Sequence, residues 1–324
     1  MTNKEQYLSY CKNHNSEIPL FMQDWYLDIV CKKEWDVLIY SKDNECVAFF
    51  PYYIYRKYSF SSVRQPMFSP YQYPVLNKDY LNKHPKILNN NHSLYHFEGE
   101  ISEYFASELD KMRLSACFLN TTTDFLSITP FVWHRFSASV RFTYILDLSN
   151  EDVFSSFSNT LKKKIRKAER ELVITDKQWD LKQIYTVLQT TFIRQKTTIP
   201  YSFELFSNIV TTCEKNNLGK LFVCTDNKDN VLSVLFIAWD NECAYSLIGG
   251  SNYDNEQRDA GTFTQYASIM YAKQIGKRRY DFEGSMLKGV ENFFQQFGAE
   301  RKIYISLTKY YSKIYRFLKT IKQS

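Results

Sequence analysis

Two periods of apolar and polar residues run through this chain. In "DVLIYSKDNECVAFFPYYIY" (36–55) and "KLFVCTDNKDNVLSVLFIAW" (220–239), an apolar run meets a turn of Asp, Asn and Lys and then a longer apolar run. That pattern predicts a β-hairpin in each place. The second hairpin is followed by "ECAYSLIGG", a third strand that makes a meander. Two hairpins with the same rhythm, half a chain apart, predict two related domains.

Between the strands the period lengthens to that of a helix. Asn150 is an expected N-cap for Phe154, Phe157, Leu161, Ile165 and Ala168. Residues 181–196 and 202–219 predict two more helices, the latter stopped by Gly219 as a C-cap. Residues 262–276 place Phe263, Tyr266, Ala267, Met270 and Ile275 on one side. Residues 287–298 gather Leu287, Val290, Phe293, Phe294 and Phe297. "KIYISL" (302–307) then reads as a strand, and a basic, tyrosine-rich helix ends the chain. The order predicts an α/β (α+β) protein in two domains, residues 1–150 and 151–324, each a mixed sheet flanked by helices.

Composition narrows the function classes. The 324 residues carry a net charge of +6, which suits an anionic partner such as a nucleotide cofactor, a tRNA or a membrane surface. Aromatics reach 17%, enough to line clefts as well as fill cores. The seven cysteines form no CxxC pair and several lie in apolar runs, as buried free thiols in a reducing compartment would. No apolar signal core and no run of about 18 apolar residues appears, so a soluble, cytoplasmic protein is expected. His92 and His96 lack a third ligand, so no metal site is expected. No Ser-His-Asp or Cys-His arrangement emerges for a covalent intermediate.

Two stretches point to chemistry. After Gly249 and Gly250 a polar loop leads into a helix near Gly261 and Thr262, with Arg258 just ahead. A helix N-terminus with a nearby glycine suits a phosphate or pyrophosphate. "RDAGTF" (258–263) resembles the [Arg/Gln]-x-x-Gly-x-[Gly/Ala] loop of the GNAT acyltransferase superfamily, although Phe263 stands where Gly or Ala is expected. "KQIGKRRYDFEGSMLKGVENFFQQFGAE" resembles the C-terminal signature of the FemAB-like branch, through Gly276, Tyr280, Asp281, Phe282, Gly284, Gly289, Val290, Phe293, Phe297 and Gly298. Thr160, Lys163, Ile165, Lys167, Ala168 and Arg170 resemble that branch's basic helix.

The resemblance implies two GNAT domains and acyl transfer to an amine, with the donor in the C-terminal domain and the acceptor side in the first. FemAB members use aminoacyl-tRNA on a peptidoglycan precursor; looser relatives resemble acetyl-CoA-dependent enzymes of envelope polysaccharides. Phe294 stands where tRNA users often have lysine, which favours acetyl-CoA or another acyl-CoA as donor and an envelope sugar or precursor as acceptor. Aminoacyl-tRNA is the alternative donor, peripheral membrane association is compatible, and no DNA is expected. Phe263 and Phe294 also leave open a binding protein that lost catalysis.

Alternation along "YDFEG" turns Asp281 and Glu283 to the face opposite Phe282, making Glu283 the expected general base, with Asp281 beside it. Gly250, Arg258, Gly261, Thr262 and Lys288 are expected at the donor. Arg64, Gln65, Tyr71 and Arg194 are expected at the acceptor. Ser285 is expected to cap the following helix.

Overall fold

The computed structural model describes residues 1–125, 127–252, 259–284 and 288–321. Its first half runs α1 (Asn3–His14), α2 (Asp24–Val30), β1 (Trp35–Lys42), β2 (Glu45–Lys57), β3 (Phe60–Arg64), β4 (Val75–Leu76), α3 (Lys78–Lys83), α4 (Asn91–Lys111), β5 (Ala116–Asn120), α5 (Thr129–Trp133) and β6 (Ser137–Asp147). There follow α6 (Asn159–Glu171), β7 (Val173–Thr175), α7 (Leu181–Arg194), α8 (Phe203–Lys215), β8 (Gly219–Thr225), β9 (Val231–Trp239), β10 (Cys243–Ser251), α9 (Ala260–Gln274), β11 (Arg279–Asp281), α10 (Lys288–Gln295), β12 (Glu300–Tyr310) and α11 (Lys313–Ile321).

The chain makes two compact units, Met1–Arg141 with Ile303–Ser324, and Phe142–Lys302. The sequence placed the cut at 150/151. In the structure the boundaries fall inside β6 and β12.

The two units repeat one plan. In the first, β1, β2 and β3 form an antiparallel meander, α4 crosses over, and β5 lies parallel to β3 with β12 antiparallel beyond it. In the second, β8, β9 and β10 form the meander, α9 crosses over, and β11 lies parallel to β10 with β6 antiparallel beyond it. Each unit thus takes its last strand from the opposite half of the chain. Short-range patterning cannot announce such a pairing, because register partners lie far apart in sequence.

Burial explains why each segment takes its form. Every residue of β9 is buried, as expected of a central strand covered on both faces. α4 turns Phe97, Ile101, Phe105 and Leu109 onto the first unit's sheet, and α6 turns Leu161, Ile165 and Ala168 inward in the second. Burial holds the thiols of Cys213 and Cys224 up to about 12, so they act as small apolar side chains.

Two caps differ from expectation. Ser158, not Asn150, caps α6: its hydroxyl accepts the Leu161 amide at 3.2 Å. Gly219 opens β8 instead of ending α8, and Asn217 takes the left-handed conformation with φ 54°. A β-carbon at Gly219 would lie 2.6 Å from Cβ of Cys213, so close packing requires this glycine.

Candidate active site

The second unit opens between β10 and β11. These strands pair only from Cys243–Arg279 to Tyr245–Asp281, whereas β10 runs on to Ser251. After Asp281 the chain stays with β6: the Phe282 amide donates to the Tyr144 carbonyl at 2.9 Å. At the point of parting, the register of β10 on β9 slips between Ser246 and Ile248, a β-bulge with Leu247 as its extra residue. A bulge re-aims backbone groups and leaves its extra residue outside the ladder. Periodicity alone could not reveal it.

The turn after β11 is held by side chains. Asp281 is buried, and its Oδ1 accepts the Thr143 hydroxyl and, at 2.8 Å, the Glu283 amide. The Gly284 amide in turn donates to Thr143 Oγ1 at 3.0 Å. A β-carbon at Gly284 would lie 1.7 Å from the Phe142 carbonyl oxygen, so only glycine lets the chain press this closely on β6. Glu283 between them takes φ 55°, an uncommon conformation for a side-chain-bearing residue.

That conformation ends the alternation on which Asp281 and Glu283 were expected to share one open face. Asp281 is a positioning residue, folded under the turn. Glu283 is half-buried, and its Oε1 is sealed from solvent without a hydrogen-bond partner among the described residues. Burial, and after it the nearby Asp281 carboxylate, pushes its pKa well above the ordinary carboxylate range. A carboxyl shifted upward in this way is a better proton acceptor than an ordinary one. Ser285 lies outside the described residues.

Beside the opening stands the N-terminus of α9. Asp259 occupies its N-cap position without making a side-chain cap. Gly261 follows; a β-carbon there would meet Ser251 Oγ at 3.1 Å, with Ser233 Oγ next nearest at 3.8 Å. Those two hydroxyls are themselves 3.2 Å apart. Lys164 of α6 reaches within 4.0 Å of the Asp259 carboxylate, bringing the basic helix to the same corner. Thr262 is buried in the first turn. Gly250 has a different reason to be glycine: Thr191 Oγ1 and Leu188 of α7 would crowd a β-carbon at 2.9 and 3.1 Å. Arg258 and the side chain of Lys288 lie outside the described residues. Among the described residues no cluster of His, Cys, Asp and Glu suits a metal ion.

Residues 155–295 match the family model described as an acetyltransferase (GNAT) domain. That stretch is therefore similar to a GNAT acyltransferase domain. No curated protein sequence matches it. Among solved structures it is similar to FemX, with 14% identity and a TM-score of 0.61 over 94% of this chain and 96% of that one. It is similar also to L-PGS from Bacillus licheniformis, with 10% identity and a TM-score of 0.55 over 98% and 96%. A tandem GNAT protein from the clavulanic acid biosynthesis pathway matches with 9% identity and a TM-score of 0.54 over 95% and 94%. The shared fold is the tandem GNAT arrangement that the resemblance implied, with the two related domains that the repeated hairpin predicted.

Within the GNAT domain, both phenylalanines that stood out in the sequence belong to packing. Phe263 packs against the cluster of Ala168, Leu172, Cys224, Leu232 and Ala260 and stacks on Tyr266 with ring centroids 6.5 Å apart. Phe294 is buried against Phe282 at 4.9 Å and Tyr144 at 6.0 Å. A lysine at position 294 would be forced into that aromatic core, so in this chain Phe294 does not discriminate between donors.

The residues expected at the acceptor are scattered among structural tasks. Arg64 donates to Ser62 Oγ at 2.8 Å and to the Tyr315 hydroxyl, and its guanidinium covers the Tyr55 ring at 4.1 Å. Gln65 accepts the Asn120 amide at 3.2 Å. Tyr71 is buried edge-on against Phe21 and Tyr304, leaving no face for a sugar. Arg194 sits exposed at the end of α7. Thr143, Ser233 and Ser251 went unnoticed in the sequence, since hydroxyls carry no pattern of their own, whereas Lys164 belongs to the basic run 162–170.

Proposed function

We propose that this GNAT-type enzyme moves an acyl group, acetyl in the simplest case, from acyl-CoA to an amine of a cell-envelope sugar or precursor. The parting of β10 from β11 beside the α9 N-terminus carries this reading. A thioester laid in the gap would bring its pyrophosphate to the first turn of α9, where backbone N–H groups and the helix dipole favour negative charge. Gly261 allows close approach, and the hydroxyls of Ser233 and Ser251 supply polar neighbours. Backbone at the Leu247 bulge would polarise the carbonyl. Glu283, directly or through a water, would take the proton from the attacking amine. Such a donor places the work in the cytoplasm.

The basic face of α6 favours a second reading, aminoacyl-tRNA as donor. Lys163, Arg166 and Lys167 are exposed there, apart from the pairing of Lys167 with Glu171 at 4.0 Å. Thermal melting of the whole chain with acetyl-CoA and with aminoacyl-tRNA separates the two. Saturating acetyl-CoA is expected to raise the midpoint by on the order of 5 °C. A rise with aminoacyl-tRNA alone would replace the first reading by the second, and no rise with either donor would end both.

A further inference from the structure

The first unit carries a surface that the transferase reading leaves unused. α11 leans on the unit through Tyr315, which is buried against Phe60 at 5.2 Å and hydrogen-bonded by Arg64. Its apolar side chains point elsewhere. Ile314, Phe317, Leu318 and Ile321 are 66, 66, 46 and 55% exposed, at the i, i+3, i+4, i+7 spacing of one helical stripe. A helix that merely covered a core would turn such a stripe inward.

A second segment, far away in sequence, joins it. The turn between β2 and β3 raises Tyr58 to 90% exposure, and Tyr58 lines the same groove as Leu318 and Ile321. The charges that these two segments themselves carry, Lys57, Lys313, Arg316 and Lys319 among them, are all of one sign; Arg56, next to Lys57, pairs with Glu34 at 3.5 Å. Neither residues 55–64 nor 303–324 contain an Asp or Glu.

We propose that α11 and the β2–β3 turn together form a docking surface for a bilayer carrying anionic lipid. Aliphatic and aromatic side chains on one face of a short helix enter the headgroup boundary, while lysines and arginine beside them meet lipid phosphates. Tyr58 suits the same depth, where amphipathic rings collect. A second copy of the chain is a poor occupant, because two cationic faces repel. Nucleic acid would leave Ile314, Phe317 and Leu318 without a purpose. The proposal is independent of the donor and acceptor assignments.

Co-sedimentation of the whole chain with vesicles of phosphatidylcholine, with and without phosphatidylglycerol, tests it. Binding is expected with the anionic vesicles and much less with the neutral ones. Phe317→Glu should weaken it roughly tenfold or more by removing apolar insertion. Lys313→Gln and Lys319→Gln should each cost roughly fivefold at low salt. Because Phe317 is exposed, the melting temperature should not move, which separates lost docking from lost folding. Failure to bind anionic vesicles would overturn the proposal, as would equal binding by Phe317→Glu. So would a dimer that this substitution splits, or RNA displacing the vesicles.

Discussion

The side chains of Asp281 and Thr143 meet in the interior of the second unit, the hydroxyl donating to the carboxylate across 138 positions of sequence. One end of this contact lies on β11 and the other on β6. The amides of Glu283 and Gly284 close on the same pair, at 2.8 and 3.0 Å. A buried carboxylate thus folds the turn that carries the candidate base.

Thr143→Val keeps the shape and removes the hydroxyl. It leaves Asp281 short of a donor and the Gly284 amide short of an acceptor, both away from water. A loss of about 2 to 4 kcal/mol is expected in urea unfolding, at the cost of unsatisfied buried groups. A loss below about 0.5 kcal/mol would mean the contact does not hold the turn.

Glu283→Gln is expected to lower turnover by about 10² to 10⁴ while donor affinity holds, as for a missing general base. With the wild type, turnover should climb with pH as the carboxyl loses its proton, and the variant should lose that limb. Stability moves the other way. The folded carboxyl keeps its proton to higher pH than the unfolded one, so stability falls as pH rises from the ordinary carboxylate range through the raised folded value. Denaturant midpoints of Glu283→Gln should lack that fall. Unchanged turnover would remove Glu283 from the mechanism.

Two glycines five residues apart, Gly284 and Gly289, should behave oppositely. Gly284→Ala drives a methyl to within 1.7 Å of the Phe142 carbonyl oxygen and should cost at least about 3 kcal/mol or prevent folding. A β-carbon at Gly289, in α10, meets nothing within 4 Å. Gly289→Ala should be neutral or stabilise by about 0.5 kcal/mol through helix propensity. Thermal melts of both variants check the contrast.

His134 links elements of the first unit: its Nδ1 lies 2.9 Å from Asp110 and its Nε2 2.9 Å from Glu103. Glu103 and then Asp110 raise the imidazole pKa above its ordinary value. The charged contact therefore contributes fully below the ordinary histidine pKa and is lost as pH rises through the folded value. Lys309 and Tyr311 also bond Asp110 and remain after the imidazole is neutral. Denaturant midpoints from pH 5 to 9 should show this decline in the wild type and not in His134→Gln.

The phenylalanines mark how far residue reading reached. Phe282, Phe293 and Phe297 were legible as core because helix and strand periods set which side a residue faces. Phe294 and Phe263 lay on the apolar faces of their helices too, and both pack, although their departure from the family motifs had suggested lost functional positions. Tyr71 and Arg64, expected at the acceptor, also have aromatic partners far away in sequence. An aromatic or a guanidinium in a loop suits a ligand as well as a neighbouring ring.

By itself, the sequence determined the hairpins, the crossover helices and their repetition, the GNAT resemblance, and Glu283 as a residue to test. Those are local matters, decided by side-chain period, turn chemistry and glycine placement. Only the tertiary structure decided that β12 completes the first sheet and β6 the second, that Asp281 is folded under Thr143, and that β10 parts from β11 at a bulge. Each depends on which distant strand lies alongside, and that choice is made by burial over whole sheets.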